Sequence, residues 1–243
     1  MERTDTVRFT EKGDIRMIAH RGVSGLEREN TCPAFVAAGV KSYFGIETDV
    51  HVTKDERFII FHDNDLKRLL SSDIVVEETD FDTLRGFRMK DTDGATERND
   101  LFMPSLEEYI SICGKYKKTA VLELKSRMEE RHIVRIADII IGMGWFANTI
   151  FISFSGENLI DLRRNFPAAE AQYLFCDETD EALDFMKEYR LDADIYAPHL
   201  TKKYADRMHA AGIRINCWTV DSIELAERVR DIGVEFITSN ILE

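Results

Sequence analysis

Short β-rich runs alternate with helical periodicity along almost the whole chain, and this alternation restricts the fold more than any single motif does. The β-rich runs lie at 16–19, 44–52, 58–61, 119–124, 149–154, 171–175, 194–197, 213–218 and 235–238. Between most of them, apolar residues recur at helical spacing, near 31–39, 105–116, 127–142, 157–165, 179–190, 201–211 and 222–232. Strands that alternate with helices run parallel and are joined by crossovers. If 58–61 returns antiparallel along the end of 44–52, eight parallel strands remain. Eight βα units in 243 residues predict a TIM-type (β/α)8 barrel, a fold that runs to about 250 residues. The rival is an open doubly wound sheet, but the glycine-rich G-x-G-x-x-G turn of its dinucleotide-binding form is missing. Helix ends are expected at Gly39, Gly212 and Gly233, and a helix start at Asp221-Ser222.

Residues 62–104 break the pattern. They are polar and charged, and their one helical piece lies near 80–87. The expectation is a single domain over 1–243, with 62–104 as a small inserted loop region after the second barrel strand.

The formal charge of −13 bears on partners. A uniformly acidic surface repels nucleic-acid phosphates and anionic membranes. No basic, apolar leader is present and no apolar run approaches about 20 residues, so a cytoplasmic protein without membrane insertion is expected. Cys32, Cys113, Cys176 and Cys217 form no C-x-x-C pair, which predicts reduced, mostly buried thiols. Nothing in the composition opposes a homo-oligomer.

A barrel gathers its chemistry at the carboxyl ends of its strands. There the sequence places His20-Arg21, Glu47 and Asp49, His62-Asp63, Glu123 and Lys125, and Trp218. Glu47 and Asp49 are two apart on one strand and face the same way, with Ile46, Thr48 and Val50 facing the other. Glu123 and Lys125 repeat the device. Three inward carboxylates raise one another's pKa or recruit a cation, and hard oxygen ligands favour Mg²⁺ or Ca²⁺. Two histidines beside such a site suit a general acid and a general base. Arg21 and Lys125 supply donors for a phosphate. The set together reads as metal-assisted phosphoester cleavage.

Each residue also has a plainer reading: a carboxylate pair as salt-bridge partners, His20 as a satisfied core histidine, Trp218 as packing. His51 shares the face of Glu47 and Asp49 but lies farther along, where a partly exposed side chain in the hairpin is expected. His132 and His209 read as helix-surface residues, and His199, after a strand in "YAPHL", as a residue of the pocket rim.

The stretches "AHRGVSGLERENTCPAFVAAG", "GIETDVHVTKD" and "FIIFHDNDLKR" closely resemble the glycerophosphodiester phosphodiesterase family. "MPSLEEY", "VLELK", "ISF", "INCWTV" and "GVEFIT" follow in the same order. The resemblance runs from about Ile18 to Thr238. It implies a divalent metal on Glu47, Asp49 and Glu123, His20 and His62 as the acid–base pair, and phosphate contacts from Arg21 and Lys125. Trp218 would wall a pocket for a small glycerophosphodiester. Within "ERENT", Asn30 or Thr31 would cap the first outer helix, and Glu29 would fix the loop and orient Arg21. The chain departs from the family in three places: Leu69-Leu70-Ser71-Ser72 replaces threonines, Glu56 replaces a turn glycine, and "ITSNILE" lacks the customary Asp/Asn-Arg-Pro. Little sequence remains there for an eighth helix, which leaves the first 15 residues to cover that side. The alternatives are a related phospholipase D-type barrel acting on lysophospholipids, which would need an apolar rim, and a non-catalytic binding barrel, which would more typically have lost a histidine or a carboxylate.

Overall fold

A computed structural model describes residues 5–243. Nine strands form one sheet: β1 (Arg16–Ala19), β2 (Gly45–Val52), β3 (Phe58–Ile60), β4 (Thr119–Leu124), β5 (Thr149–Ser153), β6 (Glu170–Phe175), β7 (Asp192–Tyr196), β8 (Ile215–Trp218) and β9 (Phe236–Ser239). Their order is β1-β9-β8-β7-β6-β5-β4-β2-β3, and a further β1–β2 pairing closes the ring. Eight strands are parallel and form the closed TIM-type barrel, while β3 pairs antiparallel with the end of β2, Val50 opposite Ile60. The helices are α1 (Cys32–Gly39), α2 (Lys67–Leu70), α3 (Phe81–Gly86), α4 (Leu106–Tyr116), α5 (Glu130–Gly142), α6 (Gly156–Asn165), α7 (Asp180–Tyr189), α8 (Lys202–Ala210) and α9 (Ile223–Ile232).

Strand alternation decides which side chains meet the helices. Ile46 and Val50 point outward into the main core beside Phe35 of α1 and Tyr109 of α4, whose rings meet edge to face at 5.1 Å. The Tyr109 hydroxyl donates to the Ile46 carbonyl at 2.7 Å, which ties α4 to β2 at the turn of strand that carries Glu47. Inside the barrel, Ile18, Val121, Ile150, Ile152, Leu174 and Phe236 form a separate apolar layer beneath the mouth. Helix α1 ends at Gly39 as expected, though without a left-handed turn, and a Cβ there would stand 2.5 Å from the Tyr116 ring, so the glycine serves close helix packing. Gly233 is the left-handed cap of α9, φ 101°, and Ser222 is its N-cap, accepting from Leu225 N–H at 3.2 Å.

The segment 62–104 is less uniformly polar than its composition suggests. Leu66, Val76, Phe81, Leu84, Met89, Leu101 and Met103 bury a second core against Ile59 and Phe61, with α2 and α3 around it. On the far side of the ring, Phe9 N–H donates to the Glu243 carbonyl at 2.9 Å and Val7 N–H to that of Ile241 at 3.0 Å. Buried Phe9 thus covers the place after β9 where an eighth outer helix would pack. No helix among the described residues is long and apolar enough to cross a membrane. All four cysteines are free: Cys113 and Cys217 are buried, Cys32 is half-buried, and Cys176 alone is exposed.

Candidate active site

The carboxyl ends of β1, β2 and β4 bring together the residues singled out in the sequence. Asp49 of β2 lies directly opposite Glu123 of β4 in the parallel register. Glu47, Asp49 and Glu123 are all buried, and each offers a carboxylate oxygen within 4.8 Å of the others. Lys125 Nζ stands 2.9 Å from Glu123 and 3.4 Å from Asp49. His20 follows β1, its Nε2 3.9 Å from Glu47. His62 follows β3, so the hairpin strand outside the barrel delivers it to the mouth.

The backbone around the site takes unusual conformations. Arg21, Asn30 and Ser126 all have positive φ, between 52° and 54°, a left-handed conformation uncommon for residues that carry a side chain. At Arg21 this turn aims the N–H at Glu47, 2.8 Å away, while the guanidinium bonds Glu29 at 2.8 Å. Gly22 needs its φ of 77°, and a Cβ there would meet Ala34 at 2.7 Å. The "ERENT" stretch now divides its labour. Thr31 caps α1, accepting from Ala34 N–H at 3.3 Å. Asn30 instead turns inward, is almost fully buried, and donates to Asp49 at 2.8 Å while accepting from Thr48.

Glu29 also binds Arg68, which binds Asp63, which binds His62 Nδ1 at 2.7 Å. A continuous polar chain therefore connects Arg21 to His62. Asn30, Asp63 and Arg68 as orienting partners went unrecognised in the sequence; their places within "ENT" and "HDNDLKR" were the available signal. Trp218, half-buried, donates to the Asp194 carbonyl at 3.2 Å and packs against Phe154 and Tyr196, ring centres at 5.6 and 5.4 Å. His199 lies at this rim, its ring 4.9 Å from Tyr196. A cavity of about 420 Å³ opens beside His20 and Arg21, bounded by Ser24, Glu29, Asp221 and Asn240.

Two expectations are corrected. His51 is wholly buried, not partly exposed, because 62–104 folds over it: Nδ1 is 3.0 Å from Glu77, and Nε2 is 3.4 Å from the His62 carbonyl. It therefore pins the segment that carries His62. His51→Ala is expected to cost roughly 2–3 kcal/mol for the cavity and lost bonds. Thermal unfolding would show this as a lower melting temperature, and an unchanged one would mean that the ring supports nothing. His132 is likewise buried, with Nε2 unpartnered, whereas a helix-surface position was expected. Helix α5 turns it inward beside Glu56, which occupies the left-handed turn position at φ 59°.

Burial and the nearby Asp49 charge push Glu123 up to about 8 and Glu47 well above the usual carboxylate range. Burial would raise Asp49 too, but Lys125 and Arg21 outweigh it and hold that group low. Burial, then the Arg21 charge, pushes His20 down to about 4, and burial also lowers His62. Within this network Glu29, Glu47, Asp49, Asp63 and Glu123 face only Arg21, Arg68 and Lys125. With all five ionised, two negative charges are left over. The buried Asp49 Oδ1 also lacks a hydrogen bond. An all-oxygen donor set with that surplus fits a hard divalent cation.

Comparison with known proteins agrees with this fold. The sequence model of the glycerophosphoryl diester phosphodiesterase family matches residues 20–242. A glycerophosphodiester phosphodiesterase of Bacillus subtilis is 27% identical over 93% of this chain and 83% of its own. One from Caldanaerobacter subterraneus subsp. tengcongensis is 25% identical over 92% and 93%. Among solved structures, a phosphodiesterase of Oleispira antarctica in complex with the product sn-glycerol-3-phosphate has the same fold, with TM-score 0.85, 23% identity and coverage of 93% and 92%. A glycerophosphodiester phosphodiesterase of Parabacteroides distasonis gives TM-score 0.77 at 26% identity, covering 93% of both chains.

Proposed function

The chain belongs to the glycerophosphoryl diester phosphodiesterase family, and we propose that it cleaves glycerophosphodiesters to sn-glycerol 3-phosphate and an alcohol with a divalent ion, Mg²⁺ or Ca²⁺, and two histidines. The observation that carries this reading is the buried trio Glu47, Asp49 and Glu123 between His20 and His62, set in a network whose five carboxylates, when ionised, outnumber its three cations by two. The three carboxylates would hold the ion, which when bound supplies positive charge to the phosphoryl oxygens. Arg21 and Lys125 add donors to the same oxygens, where charge develops and preorganised groups act most strongly. One histidine accepts the proton of the nucleophile, either water or the substrate's neighbouring hydroxyl in a route whose cyclic phosphate a water then opens, and the other gives a proton to the departing alkoxide. Asp63 holds His62 by Nδ1, which turns its Nε2 toward the substrate. The Trp218, Phe154 and Tyr196 rings offer an apolar wall to the glycerol carbons.

We read the chain as one catalytic unit in which 62–104 serves the barrel mouth. Arg28 donates to the Lys90 and Asp91 carbonyls at 2.6 Å each, and Arg98 pairs with Glu27 at 2.7 Å. Of the large hydrophobic side chains exposed among the described residues, only Phe154 stands beside Trp218 at the site. This favours short polar headgroups over lysolipid chains. A panel of glycerophosphodiesters and lysophospholipids, assayed with and without Mg²⁺ or Ca²⁺, tests the reading. Release of glycerol phosphate from the first group is expected, and hydrolysis confined to the lysolipids would overturn it.

The same charges set a pH dependence. In the metal-free protein, Glu47 and Glu123 keep protons that the unfolded chain gives up near 4.5, so their effect is a loss of stability as pH rises toward about 8. Up to about 6.5 the depressed histidines act in the opposite sense, because the unfolded chain then binds the extra protons. From about 6.5 to 8 the carboxylates act alone, and Glu123 contributes a loss on the order of 2 kcal/mol. The melting temperature of chelated protein should fall across that window, and saturating Mg²⁺ should remove the slope. A metal-free protein that gains stability from pH 6.5 to 8 would contradict the charge arrangement.

A further inference from the structure

His20 and Asn240 face each other across the seam where β1 meets β9. Ala19 lies opposite Ser239, and His20 N–H donates to the Ser239 carbonyl at 2.8 Å. The side chains continue this pairing, with His20 Nδ1 2.7 Å from Asn240 Oδ1. An amide can turn either end toward a neighbour, so what lies behind it decides its orientation. Behind Asn240 is Asp221, whose Oδ2 is 2.5 Å from Asn240 Nδ2 and whose Oδ1 accepts from the Asn240 backbone N–H at 2.8 Å. Ser239 Oγ also donates to that Oδ1 at 3.0 Å. A carboxylate only accepts, so the NH₂ end must face Asp221 and the oxygen must face His20. Ser24, whose hydroxyl is 2.6 Å from the same oxygen and 2.9 Å from the His20 carbonyl, has one hydrogen to give and fits this orientation when it gives it to Asn240.

We propose that Asn240, oriented by Asp221, is a positioning residue that fixes the ring and tautomer of His20, so that Nδ1 carries the structural proton and Nε2 exchanges protons with the substrate. The role rests on the proposed reaction only in giving Nε2 a task; the tautomer itself follows from the hydrogen bonds. Whether His20 takes or gives a proton, the Nδ1–H bond to Asn240 persists, because the neutral ring and the imidazolium both carry that hydrogen. His62 differs, since its Nδ1 is held by the carboxylate of Asp63 and not by an amide.

The test is the tautomer, read by two-bond ¹H–¹⁵N correlation on histidine-labelled, Mg²⁺-loaded protein at about pH 8. The His20 signal is identified by its loss in His20→Asn. A protonated Nδ1 and a bare Nε2 are expected, and a predominant Nε2–H form would overturn the assignment without any variant being needed. In Asn240→Leu, which keeps the branched shape but removes the acceptor, the ring should become a tautomer mixture. Turnover should fall about 10- to 100-fold, the usual loss when a histidine's orienting partner is removed, with KM changed by less than about threefold. Asp221→Asn, which permits the amide to flip, should give a smaller loss of the same kind. A folded Asn240→Leu protein with unaltered tautomer and kcat would sink the proposal. An inactive wild type showing the expected tautomer would instead count against the proposed reaction and leave the pairing standing.

Discussion

Alanine in place of His20 or His62 lowers kcat by about 10²-fold or more, the ordinary worth of a positioned acid or base, while the protein melts within a few degrees of the wild type. The two halves of this expectation have separate grounds. The histidine side chains are 16% and 31% exposed and line the mouth, so truncation opens space to solvent and creates no sealed cavity. Their partners also survive: Asn240 keeps Asp221, and Asp63 keeps Arg68. Activity should suffer because no other described histidine can replace them. His51 is sealed beneath 62–104, and His199 stands at the rim, bound to Cys176 and Asp177. The double variant should lose little more than the worse single one, since the two groups act in one step. Steady-state kinetics with thermal unfolding on the same samples decides it. A loss below about threefold at either position would remove that histidine from the chemistry.

Metal removal has the second large effect. Chelation should take turnover to background, and Mg²⁺, Mn²⁺ or Ca²⁺ should restore it, because Lys125 and Arg21 do not balance the three carboxylates once their protons are lost. Glu123→Gln separates binding from folding. It should weaken the metal sharply and yet leave the metal-free protein about as stable as the wild type, or more stable toward pH 8, since it keeps the uncharged state that Glu123 otherwise loses there beside Asp49. Full turnover in protein shown by elemental analysis to be metal-free would exclude the ion from the mechanism. A collapsed melting temperature in Glu123→Gln would make that residue structural.

Much of this was legible from period and spacing. The two-residue step from Glu47 to Asp49 gave their common face, and alternation with helices gave the barrel. The helix limits shifted by only a few residues; α5, for instance, starts at Glu130 and not near 127, because Ser126 takes a left-handed turn. What could not be read was set by contacts distant in sequence. His51 is buried only because 62–104 returns over it, and that segment hid its own core in scattered apolar positions with no sustained period. Asn30 read as a cap because asparagine is a good one, whereas Thr31 took that place and left the amide free for Asp49. Asn240 carried no signal at all, as its partner lies 220 residues away.

That separation also has a consequence for how the protein folds. The carboxylate side of the site is made by β2 and β4, neighbours in the sheet, and can form once that part of the chain has collapsed. The His20 side straddles the seam and exists only when β9 docks on β1, together with Val7 and Phe9 on the residues after β9. Contacts between remote segments carry the larger loop-closure entropy and tend to form late. A partly folded barrel would thus have its acidic trio before it had an oriented histidine, so return of activity during refolding should trail the return of secondary structure and report closure of the ring.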